Sequence, residues 1–497
     1  MTIYILTSIQ EYSNELAELA RAFYPGRVVK TDTGNPEDLL PGDLLFRCEF
    51  QTVGDTTKIA VKLFKGMETS SVFSKTHRLR PDTTPMTKRR DIKNCMKQML
   101  YDILMDLTDR SLDWGALTGV RPTKIAHGLI DEGLDRNKVL KLLYDDYRVS
   151  QKKAELLHGI AKIQRPFFCG NHPNRISVYI NIPICPTKCL YCSFPSATMD
   201  QCAHLVDDYI TALEYEMETM SILAREKGIE VETVYIGGGT PTSLNTVQLE
   251  RVLRAVREFW GWSPWKEYTV EGGRPDTMSG DKLRVLKDHS VTRISINPQS
   301  MNDKTLGAIG RNHKAHEIVE CFYRARDVGF DCINMDVIVG LPGEGIEEGR
   351  RTMGSIKKLA PDNLTVHTLA VKRASRLKDN LERFALTDER LAAGMMDIFY
   401  EGAGSMGMKP YYLYRQKYML GNMENVGFAT PGKESIYNMQ IMEDRQTIWA
   451  FGAAAITKVI YPTMGRIERA ANVKNIGDYI DRTEEMVQRK LKICTYS

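Results

Sequence analysis

Between about residues 175 and 370, short apolar runs alternate with amphipathic stretches. Six runs read as strands: Ser177–Pro183, Thr233–Gly237, Tyr268–Glu271, Arg293–Asn297, Ile333–Val339 and Leu364–His367. Between them, apolar residues recur three and four apart. Val206, Tyr209, Ile210, Leu213, Met217 and Met220 make one such stripe, the spacing a buried helix face requires. Ser279 sits where an N-cap belongs, ahead of Leu283 and Leu286. Strands alternating with helices predict a parallel sheet. Six units fall short of a closed eight-fold barrel. The predicted fold class is therefore α/β, with a partial, open (β/α)6 barrel over residues 166–380.

Two regions flank it. Residues 1–165 read as an α/β N-terminal extension, opening with a strand at Ile3–Leu6 and a helix at Glu11–Ala22. A basic stretch leads into an amphipathic helix from about Ile92 to Leu107. A turn marked by Gly115, Gly119 and Pro122 follows. No catalytic constellation stands out there. Residues 381–497 read as an α+β region that covers the substrate.

A chain of 497 residues is too long for one ordinary core. It is 42% hydrophobic and 26% charged, as globular proteins are. A net charge of +4 does not argue for nucleic acid, and Lys88, Arg89 and Arg90 read as a solvated face. The N-terminus lacks the basic start of a signal peptide. No apolar run is long enough for a membrane span. Ten irregularly spaced cysteines do not form a secreted disulfide framework. A cytoplasmic location is expected.

Cys185, Cys189 and Cys192 lie within eight residues, directly after the apolar run VYINIPI. Three thiols cannot all pair as disulfides, so the loop reads as a metal or cluster site. Structural zinc takes four protein ligands, so a zinc reading needs Cys202 or His204 as well. A [4Fe–4S] cluster on three thiolates would keep one iron open. Cys48, Cys95, Cys321, Cys332 and Cys494 read as ordinary buried thiols, and Cys169 could lie near the loop.

Ligands in such folds sit beyond the carboxyl ends of the strands. The polar signals fall there in turn. The first strand ends at the cysteine loop and the second at Gly237-Gly238-Gly239-Thr240. The third ends at Glu271, the fourth at Gln299, and the fifth carries Asp336 before Gly340. Glycines allow close backbone approach to a charged ligand. Glu271 suits an ammonium and Arg311 a carboxylate, with Asp336 orienting Arg311 or holding a ribose hydroxyl.

Cys-x3-Cys-x-aromatic-Cys after a strand resembles the radical S-adenosylmethionine (SAM) superfamily. GGGTPT, VTRISINPQSM, LGAIGRNH and NMDVIVGLPGE resemble segments of the oxygen-independent coproporphyrinogen III oxidase family, in its order. LTGVRPTK and YYLYRQKYM are similar to its HemZ-type branch. The resemblance implies that Cys185, Cys189 and Cys192 hold a [4Fe–4S] cluster. It implies that Tyr191, Gly238, Gly239, Thr240, Glu271, Gln299, Arg311, Asp336 and Ile338 bind SAM. Tyr179 and Glu271 would stand at the radical site. The implied activity is oxidative decarboxylation of coproporphyrinogen III to protoporphyrinogen IX, with reduced flavodoxin or ferredoxin as electron donor. A haem-binding carrier or chaperone and a radical SAM methyltransferase acting on haem are the alternatives. Three stretches depart from the family, the first being Tyr179-Ile180-Asn181-Ile182-Pro183-Ile184 where the family usually has Tyr-x-His-Ile-Pro-Phe. Phe194 stands where the oxidases carry a further cysteine, and Tyr437-Asn438-Met439-Gln440 lacks the histidine of the haem chaperones. Arg274, Lys372, Arg373, Arg415 and Lys417 are the candidate collar for an anionic tetrapyrrole.

Overall fold

The structure, a computed structural model, describes all residues except 32–35, 55, 66–67, 79–84, 169–171, 173, 263, 373, 381, 383, 385–386, 417–418, 462–464 and 496–497. It divides into two compact units, Met1–Ala161 and Lys162–Ser497.

The first unit is built on a five-stranded mixed sheet. Strands Val28–Lys30 and Leu44–Val53 flank Thr2–Thr7 in parallel, and Thr56–Lys65 and Glu68–Arg78 extend the sheet antiparallel. Helices Gln10–Phe23 and Pro85–Thr108 contribute Leu16, Phe23, Met96 and Leu100 to a core with Phe46, Ile59 and Val61. Gly115 adopts φ +53°, and a Cβ there would lie 2.2 Å from the Arg148 carbonyl carbon. Of the basic cluster, Arg89 faces Glu11 at 3.8 Å.

The second unit contains the six expected parallel strands, here β1 (Arg175–Ile182), β2 (Glu230–Gly238), β3 (Glu267–Gly273), β4 (Arg293–Ile296), β5 (Ile333–Val339) and β6 (Asn363–Thr368). They lie side by side in chain order. Helices α1 (Val206–Glu226), α2 (Thr246–Trp260), α3 (Gly280–Asp288), α4 (Ala315–Asp327) and α5 (Ile346–Leu359) follow the first five strands. The Ser279 hydroxyl caps α3 by accepting from Lys282 N–H. The C-terminal region does not stand apart from this sheet. Beyond β6 it adds β7 (Lys409–Tyr414) and β8 (Asn425–Ala429) antiparallel. Beyond β1 it adds β9 (Thr447–Phe451) in parallel, then β10 (Ile456–Tyr461) and β11 (Arg466–Ala471).

Strand alternation separates two surfaces. Val178, Ile180, Val234, Ile236, Val270, Ile294, Met335, Val337, Leu364 and Val366 belong to the apolar core. Their alternates are polar: Tyr179 and Asn181 on β1, Tyr235 on β2, Glu271 on β3, Ser295 on β4, Asn334 and Asp336 on β5, Thr365 and His367 on β6. The concave face is therefore polar and carries the titratable and hydrogen-bonding groups. Its floor is closed by a short helix, α6 (Ile436–Glu443). The Ser435 hydroxyl and Ile436 N–H donate to the Glu267 carboxylate at 2.8 and 2.7 Å. The Arg293 guanidinium donates to the carbonyls of Lys433 and Glu434. Far from that face, Lys490 of α7 (Thr483–Cys494) meets Glu216 of α1 in a fully buried ion pair. Glu216 also accepts from Gly452 N–H, Asn472 Nδ2 and the Tyr479 hydroxyl.

Candidate functional site

One cavity of about 360 Å³ opens at the carboxyl ends of β1 to β6. Of the residues named from the sequence, Cys185, Cys189, Cys192, Tyr191, Gly238, Gly239, Thr240, Glu271, Gln299, Arg311, Asp336 and Ile338 all line it.

The cysteine loop is braced on several sides. Leu190 N–H donates to Ile309 O, and Thr187 both donates to Gly310 O and accepts from Arg274 Nη1. Gly239 N–H and Thr240 N–H donate to Ile182 O and Ile184 O at 2.8 Å each, clamping the loop onto β2. This explains the glycine run. Gly238 has φ +107°, and a Cβ would fall 1.9 Å from Asn181 Oδ1. At Gly239 a Cβ would lie 2.6 Å from Ile184 O. The glycines admit the cysteine loop itself, and the N–H groups of Gly239 and Thr240 are already committed to it.

All three thiols are free and half-buried. Burial pushes Cys185 and Cys192 upward, partly offset at Cys185 by the Thr240 hydroxyl 3.6 Å away. Cys202 is buried behind the loop with its thiol on Thr198 O, and His204 is exposed. Among the described residues, no three His, Cys, Asp or Glu side chains converge as ligands of one ion would. Zinc–sulfur bonds of about 2.3 Å would demand such convergence. Three thiols spread around a common cavity suit a polynuclear cluster better. Cys169 lies outside the described residues.

Beside the loop, Arg311 is buried, with Nη1 on Asn297 O at 2.5 Å and Nη2 donating to the Tyr191 hydroxyl at 3.3 Å. Gln299 has φ +63° and bridges to β5, its N–H on Asp336 O and its carbonyl accepting from Ile338 N–H. Among the described residues, four buried polar atoms of cavity-lining residues have no hydrogen-bond partner: Ser295 Oγ, Asn297 Oδ1, Gln299 Oε1 and Arg311 Nε. Unsatisfied buried groups are costly, so this set fits a polar ligand with both donors and acceptors, as SAM has.

Glu271 accepts a hydrogen bond from the Tyr235 hydroxyl. Burial pushes its carboxyl up to about 7 against the pull of that hydroxyl, and the nearby Asp336 carboxylate adds to the rise. Burial would raise Asp336 too, but bonds from His367 and Asn334 outweigh it and hold that carboxyl below its usual range. His367 Nε2 lies 3.6 Å from Asp336, and Asn334 donates to it at 2.7 Å.

Tyr179 is not among the cavity-lining residues. It pairs in register with Tyr235, and its ring stacks 6.1 Å from both Tyr235 and Tyr437. Tyr235, whose ring also lies 4.4 Å from Tyr437, is the member of this trio that lines the cavity. The collar candidates also divide. Arg274 lines the cavity but is locked to Asp276 by two bonds. Arg415 is buried on Asn422 and does not line it. Lys372 does line it, while Arg373 and Lys417 lie outside the described residues. Lining residues that the motifs did not single out are Tyr235, Ser295, Asn297, Asn334, Thr365, His367, Tyr412, Tyr414 and Asn438.

The profile described as Radical SAM superfamily matches residues 179–356. The chain is 39% identical over 415 residues to the oxygen-independent coproporphyrinogen-III oxidase-like protein HemZ of Bacillus subtilis (strain 168), covering 83% of each chain. It is 31% identical over 312 residues to the heme chaperone HemW of the same organism, covering 62% of this chain and 76% of that one. The fold matches the coproporphyrinogen III oxidase HemN of Escherichia coli, described as a radical SAM enzyme, with a TM-score of 0.51 and 24% identity over 66% of this chain and 73% of that one. Fold, cavity and sequence agree: the chain belongs to the oxygen-independent coproporphyrinogen III oxidase-like family of the radical SAM superfamily, in its HemZ-type branch.

Proposed function

We propose that this protein is a radical SAM oxidoreductase that decarboxylates coproporphyrinogen III to protoporphyrinogen IX without oxygen. The observation that carries the reading is one cavity lined both by three free thiols and by residues whose buried polar atoms have no partner among the described residues, in a chain of this family. Cys185, Cys189 and Cys192 would hold a [4Fe–4S] cluster, and SAM would lie between it and the strand ends. When bound, the pair supplies a hydrogen-abstracting radical. Arg311 would grip the SAM carboxylate, Glu271 the amino group and Asp336 a ribose hydroxyl, with Ile338 against adenine. Tyr235 fixes Glu271, and Tyr179 acts through Tyr235. Helix α6 and the tyrosine stack close the floor and exclude water there. Two of the four propionates would each lose carbon dioxide, one hydrogen atom to the radical and one electron to a one-electron acceptor, leaving a vinyl group. Lys372 would meet a second propionate, and reduced flavodoxin or ferredoxin would supply the electron.

Two observations favour a second reading, a haem-binding carrier. Phe194 replaces the further cysteine of the oxidases and is 64% exposed at the cavity mouth. Heme chaperones are also among the relatives. Anaerobic turnover with coproporphyrinogen III, read by mass spectrometry, decides between them. Vinyl products with 5′-deoxyadenosine support the oxidase. Tight haem binding without a vinyl product moves the assignment to the carrier.

A further inference from the structure

The cysteine loop carries a charge bias that the chain as a whole lacks. Overall, 67 basic residues meet 63 acidic ones. Over residues 183–196 and 370–379, Lys188, Lys372, Arg373, Arg376 and Lys378 meet Asp379 alone. The two segments are joined. Leu377 N–H donates to Leu190 O at 2.9 Å, pinning the Arg376–Asp379 turn against the backbone between Cys189 and Cys192. Arg376 and Lys378 flank that bond and are exposed, and neither pairs with a carboxylate among the described residues. Phe194, two residues beyond Cys192, adds an exposed apolar ring.

Lys188 and Lys372 line the cavity, so an anionic substrate could account for them. Arg376 and Lys378 do not line it. A substrate inside the cavity leaves those two charges unexplained. They stand beside the loop that would hold the cluster, where an electron from outside has to enter. Unpaired rim cations steer an oppositely charged partner and raise its encounter rate. Electron-transfer encounters are small and weak, which suits a patch of this size.

We propose that Arg376 and Lys378, together with Phe194 and Lys188 of the cysteine loop they are joined to, form the docking surface for a small acidic one-electron carrier protein. The inference rests on the cluster reading above. In the step it serves, the carrier is oxidised by one electron, the group held by the thiolates is reduced by one, and no atom is transferred.

The test uses the cluster-loaded full chain, its R376E/K378E variant, and flavodoxin as the acidic probe. Calorimetric titration with oxidised flavodoxin should show wild-type binding that weakens as salt rises. The variant should bind roughly ten-fold more weakly or worse, with the salt dependence flattened. SAM cleavage driven by dithionite should be equal in the two proteins, whereas cleavage driven by reduced flavodoxin should show a raised KM for the carrier in the variant. Unchanged flavodoxin binding and KM in the variant would overturn the proposal. So would a raised KM for the tetrapyrrole under dithionite, which would assign the patch to substrate. If dithionite drives no SAM cleavage in the wild type, the cluster reading fails, and the titration still decides the docking surface.

Discussion

Glu271 offers a prediction that depends on folding alone. Its carboxyl is pushed from an ordinary 4.5 up to about 7, chiefly by burial. A raised acid is a group whose neutral form the fold prefers. Its contribution is fully present below pH 4.5 and is lost as pH rises through about 7. A tenfold change in an ionisation constant is worth about 1.4 kcal/mol, so the ionised form costs the fold about 3 kcal/mol at pH 8 and under about 1 kcal/mol at pH 5. Water in the cavity screens the group, which makes the larger figure an upper bound. Glu271→Gln keeps the shape of the neutral acid and its acceptor for the Tyr235 hydroxyl, and it cannot ionise. Losing one further bond at the acceptor side costs about 1 kcal/mol. The variant should therefore match or trail wild type near pH 5 and exceed it by about 2 kcal/mol near pH 8. Urea unfolding followed by tryptophan fluorescence checks this, since Trp260, Trp262, Trp265 and Trp449 all lie in the second unit. A stability difference that stays constant from pH 5 to 8 would refute the account of Glu271 as a carboxyl destabilised by its site.

Three further outcomes follow from the geometry. Ser substitution at Cys185, Cys189 or Cys192 should abolish bound iron after anaerobic reconstitution. The same change at Cys48 or Cys494, both fully buried with thiols pushed up to about 12, should leave it intact; stoichiometric zinc in place of iron would sink the cluster assignment. Arg311→Ala should weaken SAM binding by roughly ten- to a hundred-fold in equilibrium titration, the loss of one charge-assisted contact. Asp336→Ala should act in the same direction, and wild-type affinity in both would remove the pocket assignment. Lys490→Met leaves the Glu216 carboxylate buried with three neutral donors, so it should cost about 3 kcal/mol, the low end for breaking a buried pair, read as a fall in thermal midpoint; a change under about 1 kcal/mol would contradict that.

The barrel strands were legible because each alternates on a period of two between an apolar outer set and a polar inner set. The cysteine loop and the glycine run announced themselves by local composition. Tyr235, Ser295, Asn297 and His367 were hidden in the same strands. The period of two that puts Ile236 and Ile294 in the core also places these four on the concave face, and reading the alternates of each apolar run would have found them. The glycines were legible as close approach, but not what approaches. The neighbour is the Asn181 side chain at Gly238 and the backbone leading into the cysteine loop at Gly239, which spacing alone does not reveal. Arg274 and Arg415 read as candidate anion ligands, and only three-dimensional contacts place them on Asp276 and Asn422. Tyr412, Tyr414 and Asn438 reach the cavity from one strand and one helix about 45 to 70 residues beyond β6, a long-range pairing that no local pattern encodes.

The parallel pairing of β9 with β1 sets a timetable for synthesis. About 265 residues separate Ile182 from Thr447, so at the usual 5–20 residues per second β1 waits roughly 13–53 s for its outer neighbour. During that interval β1, rich in isoleucine and valine, is a bare sheet edge of the kind that recruits other chains. A ribosome stalled before residue 447 would release a barrel that still has this adhesive flank. Efficient production of the protein thus depends on translation speed between residues 182 and 447, or on a chaperone that shields β1 until β9 emerges.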